Sequence, residues 1–243
     1  DYNFQVTVLD SLKFSCKSLN HLFQKKNFNF IKGDVRNKKL MKQLVKKNEY
    51  IIPLAALVGA PLCEKRKTEA VSVNLNSIKQ LMKFVTKKNK IIYLTTNSGY
   101  GVGKQSKYCD ETSPLNPISL YGRTKVDAEK TVMTFKNTVA FRLATVFGYS
   151  YRMRTDLLVN NFVFKSVNEH KLTLFEPHFR RNYIHINDVV DGIIFSIKNF
   201  NRVKNNVYNL GLSSANLTKI MLAKKIKSHL KYLKIKIVKN KKD

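Results

Sequence analysis

Along the first 150 residues, short apolar runs alternate with longer stretches in which apolar positions recur every three or four residues. FQVTVLD (4 to 10), FNFIKGD (28 to 34), YIIPLAA (50 to 56), KIIYLTT (90 to 96) and TVAFRLATVFG (138 to 148) are short and rich in β-branched and aromatic residues, which predicts strands. Between them, NKKLMKQLVKK (37 to 47) and TEAVSVNLNSIKQLMKFVTKK (68 to 88) carry helical periodicity. Strands alternating with helices predict an α/β fold, a doubly wound parallel sheet covered on both faces. Sites in such sheets collect at the carboxyl ends of the strands, where this sequence places Asp10, Asp34, Ala55, Ala56, Thr95 and Thr96.

From about residue 149 the rhythm changes. Helices are predicted at 155 to 169, at 187 to 199 begun by Asn187 or Asp188, and at 216 to 230 capped by Asn216; strands are predicted at 171 to 176, 182 to 186 and 206 to 211. This reads as a smaller α/β C-terminal lobe (149 to 243) following a first domain at 1 to 148.

Composition changes that picture little. No apolar run approaches the ~20 residues that cross a bilayer, and the first residues lack a signal-peptide layout. Cys16, Cys63 and Cys109 are odd in number and form no CxxC, so a reduced, cytoplasmic setting without disulfides or a metal site is expected. The net charge of +29 raises the question of nucleic acid. The lysines are spread over most of the chain without a nucleic-acid-binding motif, so a solvated basic surface is expected instead, with only the tail KIKIVKNKKD as a dense charge run.

The candidate chemistry lies in SLYGRTKVDAEK (119 to 130), where Tyr121 and Lys125 stand four positions apart. With 11 Tyr and 36 Lys among 243 residues, about 1.6 such pairs arise by chance, and three occur, so spacing alone proves nothing. Tyr100/Lys104 encloses Gly101 and Gly103, which oppose a helix, and Tyr232/Lys236 lies in the strand-like YLKIKIV. Only Tyr121/Lys125 continues into a helical pattern, with Ala128 and Val132 following and Ser119 as N-cap, so that its two side chains stack one turn apart.

VTVLD, GDVRN, LAA, YLTTNSGYG, YGRTK, RLATVFG and RRNYIHINDV, in this order, resemble the extended short-chain dehydrogenase/reductase family, in its NAD-dependent epimerase/dehydratase branch acting on nucleotide sugars. The resemblance implies a Rossmann-like fold and NAD as cofactor. Asp10 would bind the adenosine ribose and, by repelling a 2′-phosphate, favour NAD over NADP; as a plain residue it would be the N-cap of a helix before SLKF. Asp34 and Val35 would meet the adenine, Leu54, Ala55 and Ala56 would pass close to the cofactor, and Asn74 would lie on the nicotinamide side. The catalytic set would be Thr96, Tyr121 and Lys125, the lysine also reaching the nicotinamide ribose. Arg181, with Arg180 beside it, would grip the nucleotide diphosphate and Thr145 would stand near the sugar, while His185 reads as a packed strand residue. Members of the family are commonly homodimers, and for this chain a homodimer is expected, with no membrane and no nucleic acid as partner.

The same resemblance bears on the reaction. Dehydratases of this branch carry an Asp-Glu pair after the catalytic threonine, where this chain has Asn97 and Ser98. Epimerisation at C4 through a transient keto sugar is therefore the first expectation, with a reductase, dehydrogenase or dehydratase as alternatives and a non-catalytic NAD- or nucleic-acid-binding protein as the alternative of another class. A family member opens with a strand and a glycine-rich turn that cradles the pyrophosphate. Neither occurs here, so the sequence reads as a fragment lacking the first strand, incomplete also at its C-terminus, with a gap in its sheet and poor NAD affinity.

Overall fold

In a computed structural model the described residues are 3–14, 17–102 and 108–238. Cys16, Gly103, Lys104 and the last five residues of the basic tail lie outside them. The chain divides into two compact units: Asp1–Arg142 with Ile193–Asn209, and Leu143–Gly192 with Leu210–Asp243. The sequence reading placed one boundary after 148; in the structure the break comes at Leu143, and residues 193–209 belong with the first unit.

In the first unit, β1 (Val6–Asp10) and β2 (Phe28–Lys32) pair in parallel, Val6 against Phe28 through Asp10 against Lys32. A 3-10 turn, Lys17–Leu22, lies between them in sequence. Next come α1 (Lys38–Lys47), β3 (Tyr50–Ile51), α2 (Ala60–Lys65), α3 (Lys67–Val71), a π-helical turn (Ser72–Asn76) and α4 (Ser77–Met82). They are followed by β4 (Lys90–Thr96), α5 (Leu120–Met133) and β5 (Thr138–Leu143). The main sheet runs β3-β4-β5-β9, with β9 at Asn206–Leu210, while β1 and β2 form a separate two-stranded sheet. The predicted parallel layer is thus divided between β1 and β3.

Residues at the centre of the main sheet are almost wholly apolar, and α4 and α5 cover it. Val45, Ile78, Leu81, Ile91, Tyr93, Ala128, Val132 and Ala140 form one buried cluster. Ser119 starts α5 as expected, its hydroxyl accepting from the Gly122 N–H at 3.1 Å, and Asn37 does the same for α1 through the Leu40 N–H. The strand expected at 50 to 56 contracts to Tyr50–Ile51, as Pro53 cannot donate to a ladder.

The second unit contains β6 (Thr145–Phe147), α6 (Leu158–Asn168), β7 (Lys171–Leu174), β8 (Arg180–His185), β10 (Asn216–Thr218), α9 (Lys219–His229) and β11 (Lys234–Ile237). α7 (Ile186–Lys198) begins in this unit and ends in the first, where α8 (Phe200–Val203) follows. Its sheets are β10-β8-β6 and β11-β7. The single strand expected at 138 to 148 breaks at Ala144, so that β6 pairs with β8 and not with the main sheet. Asn216 is not the cap of the last helix: it pairs with Asn182 in the ladder, and Thr218 caps α9 by accepting from the Met221 N–H at 3.2 Å. α7 starts at Ile186, ahead of the expected Asn187 or Asp188, and His185 Nδ1 accepts from the Asn187 N–H. His185 also packs its ring edge against Phe147.

Candidate active site

Thr96 ends β4, and its Oγ1 accepts from the Ser98 N–H at 3.1 Å, opening the 3-10 turn Asn97–Tyr100. That turn ends on Gly101 at φ 72°, where an added Cβ would lie 2.1 Å from the Asn116 carbonyl oxygen, so glycine is required. α5 packs against β4 and against this turn. Tyr121, Lys125 and Glu129 therefore occupy successive turns of one helix face at the carboxyl end of β4.

Tyr121 is half-buried and, with Val35, rests on a cluster of Leu57, Cys63, Ala70 and Val73. Lys125 is 6 % exposed, and its Nζ sits 4.3 Å from the centroid of the Tyr93 ring. Burial pulls its pKa down to about 7, against the opposing pull of the Glu129 charge. The Tyr93 hydroxyl is buried without a hydrogen-bond partner, and burial, with the Tyr121 and Glu129 charges, drives its pKa upward.

Below Lys125 lies a polar network that periodicity did not reveal. Arg142 donates to both carboxylate oxygens of Glu129, from Nε at 3.1 and 3.3 Å and from Nη2 at 2.7 Å, with both side chains almost fully buried. Its Nη1 donates to the Tyr100 hydroxyl at 2.9 Å and to the Glu111 carbonyl at 3.0 Å, and the Tyr100 hydroxyl donates to Asn209 Oδ1 at 2.7 Å. The signal available was an arginine inside the otherwise apolar run TVAFRLATVFG and a glutamate one turn beyond Lys125.

The expected cofactor residues fall on the same unit. Asp10 ends β1 exposed, its Oδ1 accepting from the Leu12 N–H at 2.6 Å in a turn rather than at a helix start. Arg36 chelates Asp34 at 2.9 and 2.5 Å, which holds the Asp34 carboxyl below the usual range. Leu54, 62 % exposed, and exposed Ala55 follow β3. Asn74 is buried and committed to protein: its Oδ1 accepts from the Leu57 N–H at 2.8 Å, and its Nδ2 donates to the Leu57 carbonyl at 3.0 Å and to Thr124 Oγ1 at 3.4 Å. It ties the stretch after β3 to α5. In the second unit, Thr145 opens β6 opposite Tyr183, and exposed Arg181 lies on β8 opposite Leu217. Arg180 donates to the Asn216 carbonyl at 2.6 Å. Among the described residues, no group of three or more His, Cys, Asp or Glu side chains could hold a metal ion, and no helix is long and apolar enough to cross a membrane.

The family model for the NAD dependent epimerase/dehydratase family matches residues 1–211. The chain belongs to that family. Among curated relatives, the dTDP-D-glucose 4,6-dehydratase of Dictyostelium discoideum is 26% identical over 247 residues, covering 92% of this chain, which itself spans 56% of that relative. Among solved structures, the UDP-glucose 4-epimerase of Thermotoga maritima with UDP-glucose has a TM-score of 0.85 at 22% identity, covering 99% of this chain and 79% of that one. The dTDP-glucose 4,6-dehydratase of Bacillus anthracis in complex with NAD has a TM-score of 0.82 at 20% identity, covering 98% of this chain and 77% of that one. The family members thus share the Rossmann-like α/β fold across nearly the whole of this chain.

Proposed function

We propose that this family member is an NAD-dependent nucleotide-sugar epimerase, acting at C4, with Thr96, Tyr121 and Lys125 as its catalytic set. The observation that carries the choice of reaction is the turn after Thr96: Asn97–Tyr100 holds no carboxylate, and elimination of water needs an acid and a base of its own. Dehydration is the second reading, favoured by the likeness to the Dictyostelium dehydratase.

Exposed Asp10, Leu54 and Ala55 at the carboxyl ends of β1 and β3 fit a dinucleotide. Asp10 would take the adenosine ribose and Asp34 and Val35 the adenine, Leu54, Ala55 and Ala56 would pass close to the cofactor, and Asn74, on the nicotinamide side, would hold that stretch in place. When bound, NAD supplies the oxidant that takes a hydride from the sugar carbon and returns it to the other face. Lys125 stabilises the phenolate form of Tyr121, the phenolate takes the proton of the sugar hydroxyl and becomes the phenol, and Thr96 Oγ1 hydrogen-bonds the reacting oxygen. In the second unit, Arg181 is assigned to the diphosphate, for which its planar charged fork is suited, and Thr145 to the sugar. A homodimer and a cytoplasmic setting belong to the same reading.

The test is incubation of the protein at saturating NAD with a panel of UDP-, GDP- and dTDP-sugars, with products read by NMR. A C4 epimer without net NADH is expected, and Tyr121→Phe should reduce its formation by about 10²- to 10⁴-fold while leaving NAD binding intact. A 4-keto-6-deoxy sugar as product would move the protein to the dehydratases, and NAD binding without turnover of any sugar would move it to the non-catalytic binders.

A further inference from the structure

Lys125 has no carboxylate among its hydrogen-bond partners, and its ammonium rests on an aromatic ring. The acid nearest in the helix repeat, Glu129, is one turn further on and is held by three contacts from Arg142. The arginine is held in turn by Tyr100 and by the Glu111 carbonyl, so the carboxylate is locked from behind. A buried ion pair replaced by apolar residues is often neutral or stabilising. Its presence on the reactive face of α5 therefore calls for a reason beyond stability.

We propose that Glu129 is a positioning residue for Lys125: clamped by Arg142, it acts on the ammonium through space and fixes both its place above Tyr93 and its charge. This rests on the assignment of Lys125 to the catalytic set. The arrangement sets two opposed pulls on the lysine. Burial favours the neutral amine and Glu129 favours the ammonium, while Arg142, by neutralising Glu129, keeps the carboxylate from becoming a full salt-bridge partner. The lysine is left free to bind hydroxyls and to support a phenolate at Tyr121.

The other groups around the lysine leave this role to Glu129. On the elements packed against α5, the buried titratable groups are Tyr93 on β4, Tyr100 in the turn after it and Cys63 on α2. Burial raises the pKa of all three, so they are neutral near pH 7. Glu64 and Lys65 on α2, Lys67 on α3 and Lys79 on α4 are exposed, and Glu69 on α3 and Lys90 on β4 are half-exposed. On β5 the charged group is Arg142, and on α5 itself Tyr121 is the remaining titratable neighbour on this face.

The experiment is NMR titration of the lysine ε-methylene groups in the whole protein, with Lys125 assigned by its loss in Lys125→Arg. The wild-type signal should titrate near neutral pH, well apart from the surface lysines. In Glu129→Gln, which keeps the shape and the contact to Arg142, the midpoint should fall by about one to three pH units. In Arg142→Met it should rise, because Glu129 is released to act on the ammonium. A purely structural role would expose the lysine in both variants and move both midpoints up, and that result, or an unmoved midpoint in Glu129→Gln, overturns the proposal. These midpoints are read without turnover. If they shift as stated while no sugar is epimerised, the proposed reaction fails and the positioning role stands; normal epimerisation with unmoved midpoints gives the reverse.

Discussion

Burying Lys125 carries a cost that its pKa expresses. A fall from the ordinary 10.5 to about 7 corresponds to roughly 5 kcal/mol of disfavoured charging as an upper figure. At pH above 10.5 the amine is neutral in both folded and unfolded chains, and no penalty exists. Between 10.5 and 7 the unfolded chain binds a proton that the folded one does not, so stability declines as the pH drops. Below 7 both states are protonated and the whole penalty remains. Lys125→Met should therefore abolish turnover yet raise the melting temperature, most at pH 6 to 7 and hardly at all near pH 10.5. Thermal melts of both proteins across that range check it, and an unchanged or lowered melting temperature at pH 6 would contradict the assigned burial. A residue that weakens the fold where it stands is what a site needs and a scaffold does not.

At the scale of elements, the π-helical turn Ser72–Asn76 aims Asn74 at the backbone of Leu57 and at Thr124. π turns within α-helices are frequent at functional sites. Asn74→Ala would leave the buried Leu57 N–H without a partner and its carbonyl with only the weak Cys63 thiol donor, at a cost of about 1 to 3 kcal/mol. Urea unfolding should show that loss with little change in slope, and a loss below about 0.5 kcal/mol would mean that water replaces the amide. How far such elements could be read from the sequence follows their physics. β1, β2 and β4 were legible as apolar runs bounded by polar residues, and α5 by its cap and period. The extra residue of a π turn leaves the apolar positions of 68 to 88 still looking α-helical. The break at Ala144 follows no proline or glycine in its run, because which sheet a strand joins is decided by non-local pairing. Arg142 inside an apolar run and Glu129 one turn beyond Lys125 were signals, but only the folded structure joins them as a pair, whereas Thr96, Tyr121 and Lys125 stood out by motif and order.

For the whole molecule, the sheet division and the charge have a joint consequence. β1 and β3 each pair on one side only among the described residues, with Asp10 and Lys32 at the end of one pair and Tyr50 at the head of the other. Such edges are templates for other strands. A chain at +29 repels its own copies over a distance of about 10 Å at 0.1 M salt and about 3 Å at 1 M. Colloidal behaviour should then run opposite to that of a protein stabilised by surface ion pairs. Light scattering should stay low in dilute buffer and climb with added sodium chloride, as screened molecules meet edge to edge, and a flat response would mean that these edges are covered. The strand edges left unpaired among the described residues thus make ionic strength a variable that decides how long the protein remains dispersed.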